Sequence, residues 1–193
     1  MLSIILYLSA ENALSFTAIL FTIVAIIRIR KLYTETKPHH HSSPDSLLLS
    51  ITLAGVISFD IFFMIDSIAG ETDGWITILR IARSLLDAIQ SILQVSLILI
   101  GSKKAAKTRE SLNDKPGRGA IMCLLIINLV LWGFKTMLGK NLMTLKEFYQ
   151  LFDAKKFSSV VNVCAPLIIF YRFHSSACFS EIWKQAYRQK KEK

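Results

Sequence analysis

The hydrophobic residues of this chain fall into five long, nearly continuous blocks. These blocks lie at about 5–28, 47–69, 76–101, 119–138 and 157–175. Each is close to the roughly 20 residues that a helix needs to cross the hydrocarbon layer of a bilayer. The strands of a membrane barrel would be about half as long and would alternate in polarity. The pattern therefore predicts an all-α, polytopic membrane protein. We expect a single domain over residues 1–193, built as a bundle of about five transmembrane helices, with residues 176–193 as a cytoplasmic tail.

The net charge of +9 follows this topology. Lys and Arg concentrate in 28–37, 103–118 and 184–193, whereas the N-terminal end and the loop at 70–74 have none. Such alternation obeys the positive-inside rule, which places basic loops in the cytoplasm. We therefore expect an external N-terminus and a cytoplasmic C-terminus. Since topology accounts for the excess positive charge, no nucleic-acid partner is predicted.

The third block carries a stripe of polar residues. Arg80, Arg83, Asp87, Gln90 and Gln94 recur at spacings of 3, 4, 3 and 4, which places them on one face of a helix. An ionisable side chain inside a membrane costs roughly 2.5–3.5 kcal/mol on insertion scales, so this face is expected to point into the bundle. Two interpretations stay open, a structural network of ion pairs or a polar conduit that relays protons.

Depth matching suggests partners for these charges on the second helix. Asp66 should lie level with Arg80, and Asp60 near Arg83 or one turn above Asp87. We predict charge pairs at both levels, because unpaired intramembrane ions cost far more than matched ones. Pairing also argues against Asp60 as a free proton carrier.

A second group of polar residues is uncharged. Gln94 and Asn128 should lie at similar depth, with Tyr171 somewhat nearer the cytoplasm. Amides and a phenol can hold water or one another without a fixed charge. Such a layer either passes protons along hydrogen bonds or seals the bundle, and the sequence does not decide between the two.

Other ionisable residues lie near the ends of the predicted helices. Lys135 is expected to extend its amine to the outer interface, while the depth of Glu11 stays open. Arg172 and Glu181 are expected to anchor the cytoplasmic end of the last helix. Histidine is the side chain best suited to respond to pH changes near neutrality, which makes His174 a candidate sensor of cytosolic pH, together with Glu181, or an ordinary interfacial histidine.

Catalytic signatures are missing from the sequence. It has no Gly-x-Gly-Asp, Gly-x-Ser-x-Gly or His-Glu-x-x-His pattern, no phosphate-binding loop and no dinucleotide fingerprint. The tract His39-His40-His41 has no carboxylate or cysteine to complete a ligand set, so a solvated loop is expected there. We therefore predict no enzyme activity, no catalytic residues, no cofactor and no metal site.

Three segments together resemble one membrane-protein family. They are Phe170-Tyr-Arg-Phe-His-Ser175 followed by Glu181-Ile-Trp183, the helix ending in Gly101-Ser-Lys-Lys104, and Asn128-Leu-Val-Leu-Trp132. They resemble the otopetrins, a family of proton-conducting channels, most strongly in the last helix and weakly in the first. The resemblance implies a dimeric protein whose subunits each have twelve spans in two six-helix halves. The chain would match the C-terminal half without one helix, so we expect a fragment, an incomplete gene model or a shortened paralogue.

The resemblance also implies a function, which is acid-opened, proton-selective conduction across the plasma membrane. The family's polar constriction would correspond to Gln94, Asn128 and Tyr171. From the spacing and depth matching above, we expect a supporting charge network formed by Asp60, Asp66, Arg80, Arg83, Asp87 and Gln90. The expected partners are protons, the lipid bilayer, and a second copy or a full-length otopetrin. The alternative is a non-conducting subunit that assembles with or modulates a full-length channel.

Overall fold

The computed structural model describes residues 2–34, 44–70, 74–106, 109–141 and 154–187. The helices are α1 Leu2–Ile29, α2 Pro44–Ala69, α3 Gly74–Gly101, α4 Arg109–Asp114, α5 Arg118–Asn141 and α6 Ala154–Gln185. Two short strands, β1 Tyr33–Thr34 and β2 Lys104–Ala105, pair in an antiparallel manner. The tract His39-His40-His41, the acidic loop residues at 71–73 and the tail from 188 onward lie outside the described residues.

The five long helices coincide with the five predicted blocks, which confirms the all-α membrane fold. Four of them are long and apolar enough to cross a membrane, namely Ile5–Ile29, Asp45–Ala69, Gly74–Gly101 and Arg118–Met137. The fifth long helix, α6, is not in this set over its described residues. It also continues beyond the predicted limit of 175, so much of the expected tail is helical.

The five long helices form a closed ring in the order α1, α3, α2, α6, α5, and α3 also contacts α6 across the ring. The polar stripe of α3 is buried inside this ring, while Ile78, Leu85 and Ile89 on its opposite face are exposed. In a membrane those exposed side chains contact lipid. Apolar residues therefore cover the outer face of α3, and its ionisable groups are confined to the interior of the bundle.

We name the two ends of the bundle by their connections. At the hairpin end, Ala69 and Gly74 bring α2 and α3 together. At the tail end lie the last residues of α1, α3 and α6 and the first of α5. The tail end is fastened by the β1–β2 pairing, by Lys104, which donates to the Leu32 carbonyl at 3.1 Å, and by the Ala106 amide, which donates to the Ala186 carbonyl at 2.7 Å. The sequence did not predict this pairing, because two-residue strands have no detectable periodicity.

Further contacts at the tail end hold α5 against α1 and α6. Gly117 has φ +85° and approaches the Arg28 side chain so closely that an added Cβ would lie 3.2 Å from it, so both the backbone conformation and the space favour glycine. The Arg118 guanidinium lies over the Trp183 ring at 4.0 Å, and the Tyr187 hydroxyl donates to the Pro116 carbonyl at 2.6 Å. Burial raises the pKa of Tyr187 to about 12, so its hydroxyl remains a donor at neutral pH.

Candidate functional site

One buried group of charges draws on every long helix of the bundle. We call it the ionic cluster, and its members are Glu11 of α1, Asp60 of α2, Arg83 and Asp87 of α3, Lys135 of α5 and Arg172 of α6. Each member is at most 8% exposed. Three acids face three bases, so the cluster is neutral when all six are ionised. Charges so far from water persist only when they are paired.

Most of the cluster is a continuous series of ion pairs. The Arg83 Nε donates to Glu11 Oε2 at 3.0 Å, and Glu11 also accepts a short hydrogen bond from Lys135. The Lys135 ammonium lies 3.3 Å from Asp87 Oδ2, and Asp87 in turn accepts a short hydrogen bond from Arg172. These contacts join α1, α3, α5 and α6 through side chains alone.

The two pairs expected from depth matching differ in the structure. Arg80 donates to Asp66 at 2.6 Å, so this pair is present, and its guanidinium also lies 4.7 Å from the centre of the Phe63 ring. The expected Asp60–Arg83 pair is also present, as an ion pair with 3.9 Å between Arg83 Nη1 and Asp60 Oδ1, while the hydrogen bond from Arg83 Nε goes to Glu11. Asp60 is therefore next to its expected partner without being hydrogen-bonded to it.

Two expectations about helix ends were wrong, and one open question is settled. Lys135 does not extend to the interface; it points inward and contacts Glu11 and Asp87. Arg172 does not anchor the helix end; it is fully buried and reaches Asp87. Glu11, whose depth was open, lies at the centre of the cluster. One signal could have revealed Lys135, since it follows Asn128 by seven residues, or two helical turns, and therefore shares its face.

A second buried group, which we call the amide layer, consists of Gln90, Gln94, Asn128 and Tyr171. Gln94 is its hub: it exchanges two hydrogen bonds with Asn128, at 3.0 and 2.9 Å, and donates to the Tyr171 hydroxyl at 3.3 Å. Gln90 donates to Gln94 at 2.5 Å, and Tyr171 donates to the Ser91 carbonyl at 3.0 Å. All four side chains are fully buried. The sequence had placed Gln94, Asn128 and Tyr171 at neighbouring depths, and the structure brings them into direct contact.

Arg172 connects the two groups. Its Nη1 donates to Gln90 Oε1 at 2.6 Å and to Asn128 Oδ1 at 3.4 Å, while Nη2 contacts Asp87. A path of hydrogen bonds and ion pairs therefore runs from Arg83 through the cluster and the layer to Tyr171. Along α3 it covers the eleven residue steps from Arg83 to Gln94, about 17 Å at 1.5 Å per residue.

The structure does not bring His174 or Glu181 to this path. His174 is partly buried; its ring stacks on Phe170, with 5.4 Å between the ring centres, and its Nε2 lies 3.8 Å from the Cys178 sulfur. Glu181 accepts a hydrogen bond from Gln185 at 2.7 Å and lines a cavity of about 70 Å³ at the tail end of the bundle. Any role of these two residues in sensing pH stays a prediction.

Comparison with known proteins identifies the family. The sequence profile of the otopetrin family matches residues 1–173. The chain belongs to the otopetrin family. The match includes α1, where the resemblance was weakest, and stops within α6. This otopetrin is also 30% identical, over 175 residues, to the proton channel OtopLc of Drosophila melanogaster, an alignment that covers 90% of this chain and 11% of the relative. The chain therefore spans about a tenth of the length of that curated relative.

Proposed function

We propose that this otopetrin conducts protons across the plasma membrane, with an external N-terminus and a cytoplasmic C-terminus. The observation that carries the proposal is the unbroken path from Arg83 through Arg172 and Gln94 to Tyr171. The name of the relative, a proton channel, supports the same activity. Gln94, Asn128 and Tyr171 form the constriction in this proposal. The ionic cluster, with Asp66, Arg80 and Gln90, holds that constriction in register.

The chemistry of the path favours protons over larger ions. Its side chains contact one another directly at hydrogen-bond distance, which leaves no opening for a hydrated metal ion. A hydroxyl that accepts from one side and donates to the other, as Tyr171 does, is suited to handing on a proton. The Gln94–Asn128 contact is closed, so conduction requires a state in which water replaces at least one of its bonds.

The alternative is a non-conducting subunit that assembles with or modulates a longer otopetrin. One observation favours it: the reciprocal Gln94–Asn128 hydrogen bonds form a layer without a gap, as a seal would. In either case the expected partner is a second copy of this chain or a longer member of the family.

Whole-cell recording tests the proposal. Cells that express only these 193 residues, with surface delivery confirmed by surface biotinylation, are exposed to external acid. A current whose reversal potential follows the proton gradient, and which Asn128→Leu abolishes, would support conduction. Leu129→Ala is the matched control, because Leu129 is the next residue on α5 and is 40% exposed on the lipid side; its current should equal that of the wild type.

The same cells separate the two functions. Absence of a current in surface-expressed wild-type protein would exclude conduction by this chain alone. If co-expression then changed the current of the full-length relative, and Asn128→Leu removed that change, the subunit function would be supported.

A further inference from the structure

One buried carboxyl of the bundle differs from the others in how it is bonded. Among the residues that the structure describes, the buried carboxylates are those of Glu11, Asp60, Asp66 and Asp87. Three of them accept hydrogen bonds from basic side chains. Asp60 is only 2% exposed, yet neither of its oxygens has a hydrogen-bond partner within the described ranges. The Nη1 of Arg83, 3.9 Å away, is likewise unbonded.

An ionised carboxylate that is buried without donors is unfavourable, because it has lost the hydrogen bonds of water and gained none in return. Two responses relieve this cost. Water can enter between the carboxylate and a neighbouring donor, or the carboxyl can bind a proton and become neutral. The other three carboxylates are already stabilised by hydrogen bonds from basic side chains. Protonation of one of them would disrupt these bonds, so it is less favourable there than at Asp60.

The groups around Asp60 define what a proton would change. Asp60 interacts electrostatically with Arg83 and Asp87 of α3, Lys135 of α5 and Arg172 of α6, and Arg83 is 3.9 Å away. On α1, Glu11 accepts a hydrogen bond from Arg83, and Tyr7 interacts with Arg83 electrostatically. Within the ionic cluster, an ionised Asp60 balances three cations against three anions. A protonated Asp60 leaves the cluster with one net positive charge and leaves Arg83 paired with Glu11 alone.

We infer that Asp60 is the proton-binding carboxyl of the ionic cluster, taking up a proton from water when the medium is acidified. The step forms one O–H bond on Asp60 and releases one water from a hydronium ion. The role of Asp60 at the start of the path rests on the proposed function, but the binding of the proton does not. This inference reverses the expectation from depth matching, where a paired Asp60 was disfavoured as a proton carrier.

Infrared difference spectroscopy tests the inference without requiring any current. The full chain is reconstituted in phosphatidylcholine vesicles and moved from mildly alkaline to mildly acidic buffer. We expect a C=O stretching band of a protonated carboxyl to appear in the wild type. That band should be lost completely in Asp60→Asn and displaced in Asp60→Glu. Asp45→Asn is the matched control on the same helix, because Asp45 lies at the partly exposed end of α2, and it should retain the band.

Each outcome decides a different question. A band that survives Asp60→Asn, or no band in the wild type, would overturn the inference. If Asp60→Asn does not fold, the displacement in Asp60→Glu decides, and an unmoved band there would also overturn it. A band that depends on Asp60 in a chain without proton current would leave the inference standing and remove the proposed conduction. A proton current without the band would overturn the inference about Asp60 and leave the proposed conduction standing.

Discussion

The ionic cluster and the amide layer are both buried and polar, but they are built differently. The cluster takes a charge from each of the five long helices, whereas the layer uses neutral side chains of α3, α5 and α6 alone. Removing one partner of a buried ion pair costs about 3–5 kcal/mol, and leaving a neutral group unbonded costs about 1–3 kcal/mol. The cluster is therefore suited to fixing the arrangement of the helices. Breaking and re-forming the hydrogen bonds of the layer costs less free energy, which suits a constriction that has to open and close.

The sharpest way to break the cluster is to remove Arg172, which belongs to both groups of contacts. In Arg172→Met, Asp87 loses its short hydrogen bond and Gln90 loses its donor. We expect the free energy of unfolding in mixed micelles to fall by about 3–5 kcal/mol. Lys184→Met, an exposed cation on the same helix, is the control and should stay within about 0.5 kcal/mol of the wild type.

The double variant Arg172→Met/Asp87→Leu isolates the role of charge. Since it removes one cation and one anion together, it should recover most of the stability lost in the single variant. A double variant as unstable as the sum of the two single ones would show that these residues act through packing and not as a pair.

Removing Gln94, the hub of the amide layer, should destabilise the protein less than removing Arg172. Gln94→Leu leaves Asn128 and Gln90 with unmet hydrogen-bonding groups, so we expect the free energy of unfolding to fall by about 1–3 kcal/mol. Ser96→Ala, two residues away on the lipid-facing side of α3, is the matched control and should be near neutral. Thermal unfolding of both variants measures this. If Gln94→Leu cost as much as Arg172→Met, the distinction between the two groups would fail.

Tyr171→Phe removes one hydroxyl and keeps the ring. The Gln94 amide loses an acceptor and the Ser91 carbonyl loses a donor. We expect the free energy of unfolding to fall by about 1 kcal/mol. In the proposed channel the same change should reduce the proton current much more than it reduces stability, because the hydroxyl lies on the path. Equal currents in wild type and variant, at equal surface expression, would place the proton path elsewhere.

The smallest effect is expected at the tail end, outside both groups. Tyr187→Phe removes the hydrogen bond to the Pro116 carbonyl, which should lower the free energy of unfolding by about 0.5 kcal/mol. Burial raises the pKa of Tyr187 from 10.0 to about 12 in the folded protein. The neutral phenol is thus favoured by folding, so its contribution is complete below pH 10 and is lost as the pH rises toward 12. The difference in melting temperature between wild type and Tyr187→Phe should be constant near neutral pH and change only in strong alkali.

The sequence predicted the helices better than the direction of each side chain. Continuous apolar blocks and a regular stripe on α3 are one-dimensional signals, so the five helices and the neighbouring depths of Gln94, Asn128 and Tyr171 followed from them, whereas the depth of Glu11 did not. Lys135 and Arg172 were misjudged because a long side chain near a helix end can point to water or to the core. The rotation of the helix about its axis decides between these directions. For Arg172 the deciding partner is Asp87, on another helix.

The position of Asp87 has a consequence for biosynthesis. Among the described residues, the cations within salt-bridge distance of Asp87 are Lys135 and Arg172, which follow it in the chain by 48 and 85 residues. When α3 leaves the ribosome, neither partner exists, and the carboxylate must wait in the membrane or at its surface until α5 and α6 have been inserted. A nascent chain that stops before α5 therefore leaves Asp87 without either cation, and one that stops before α6 leaves it with Lys135 alone.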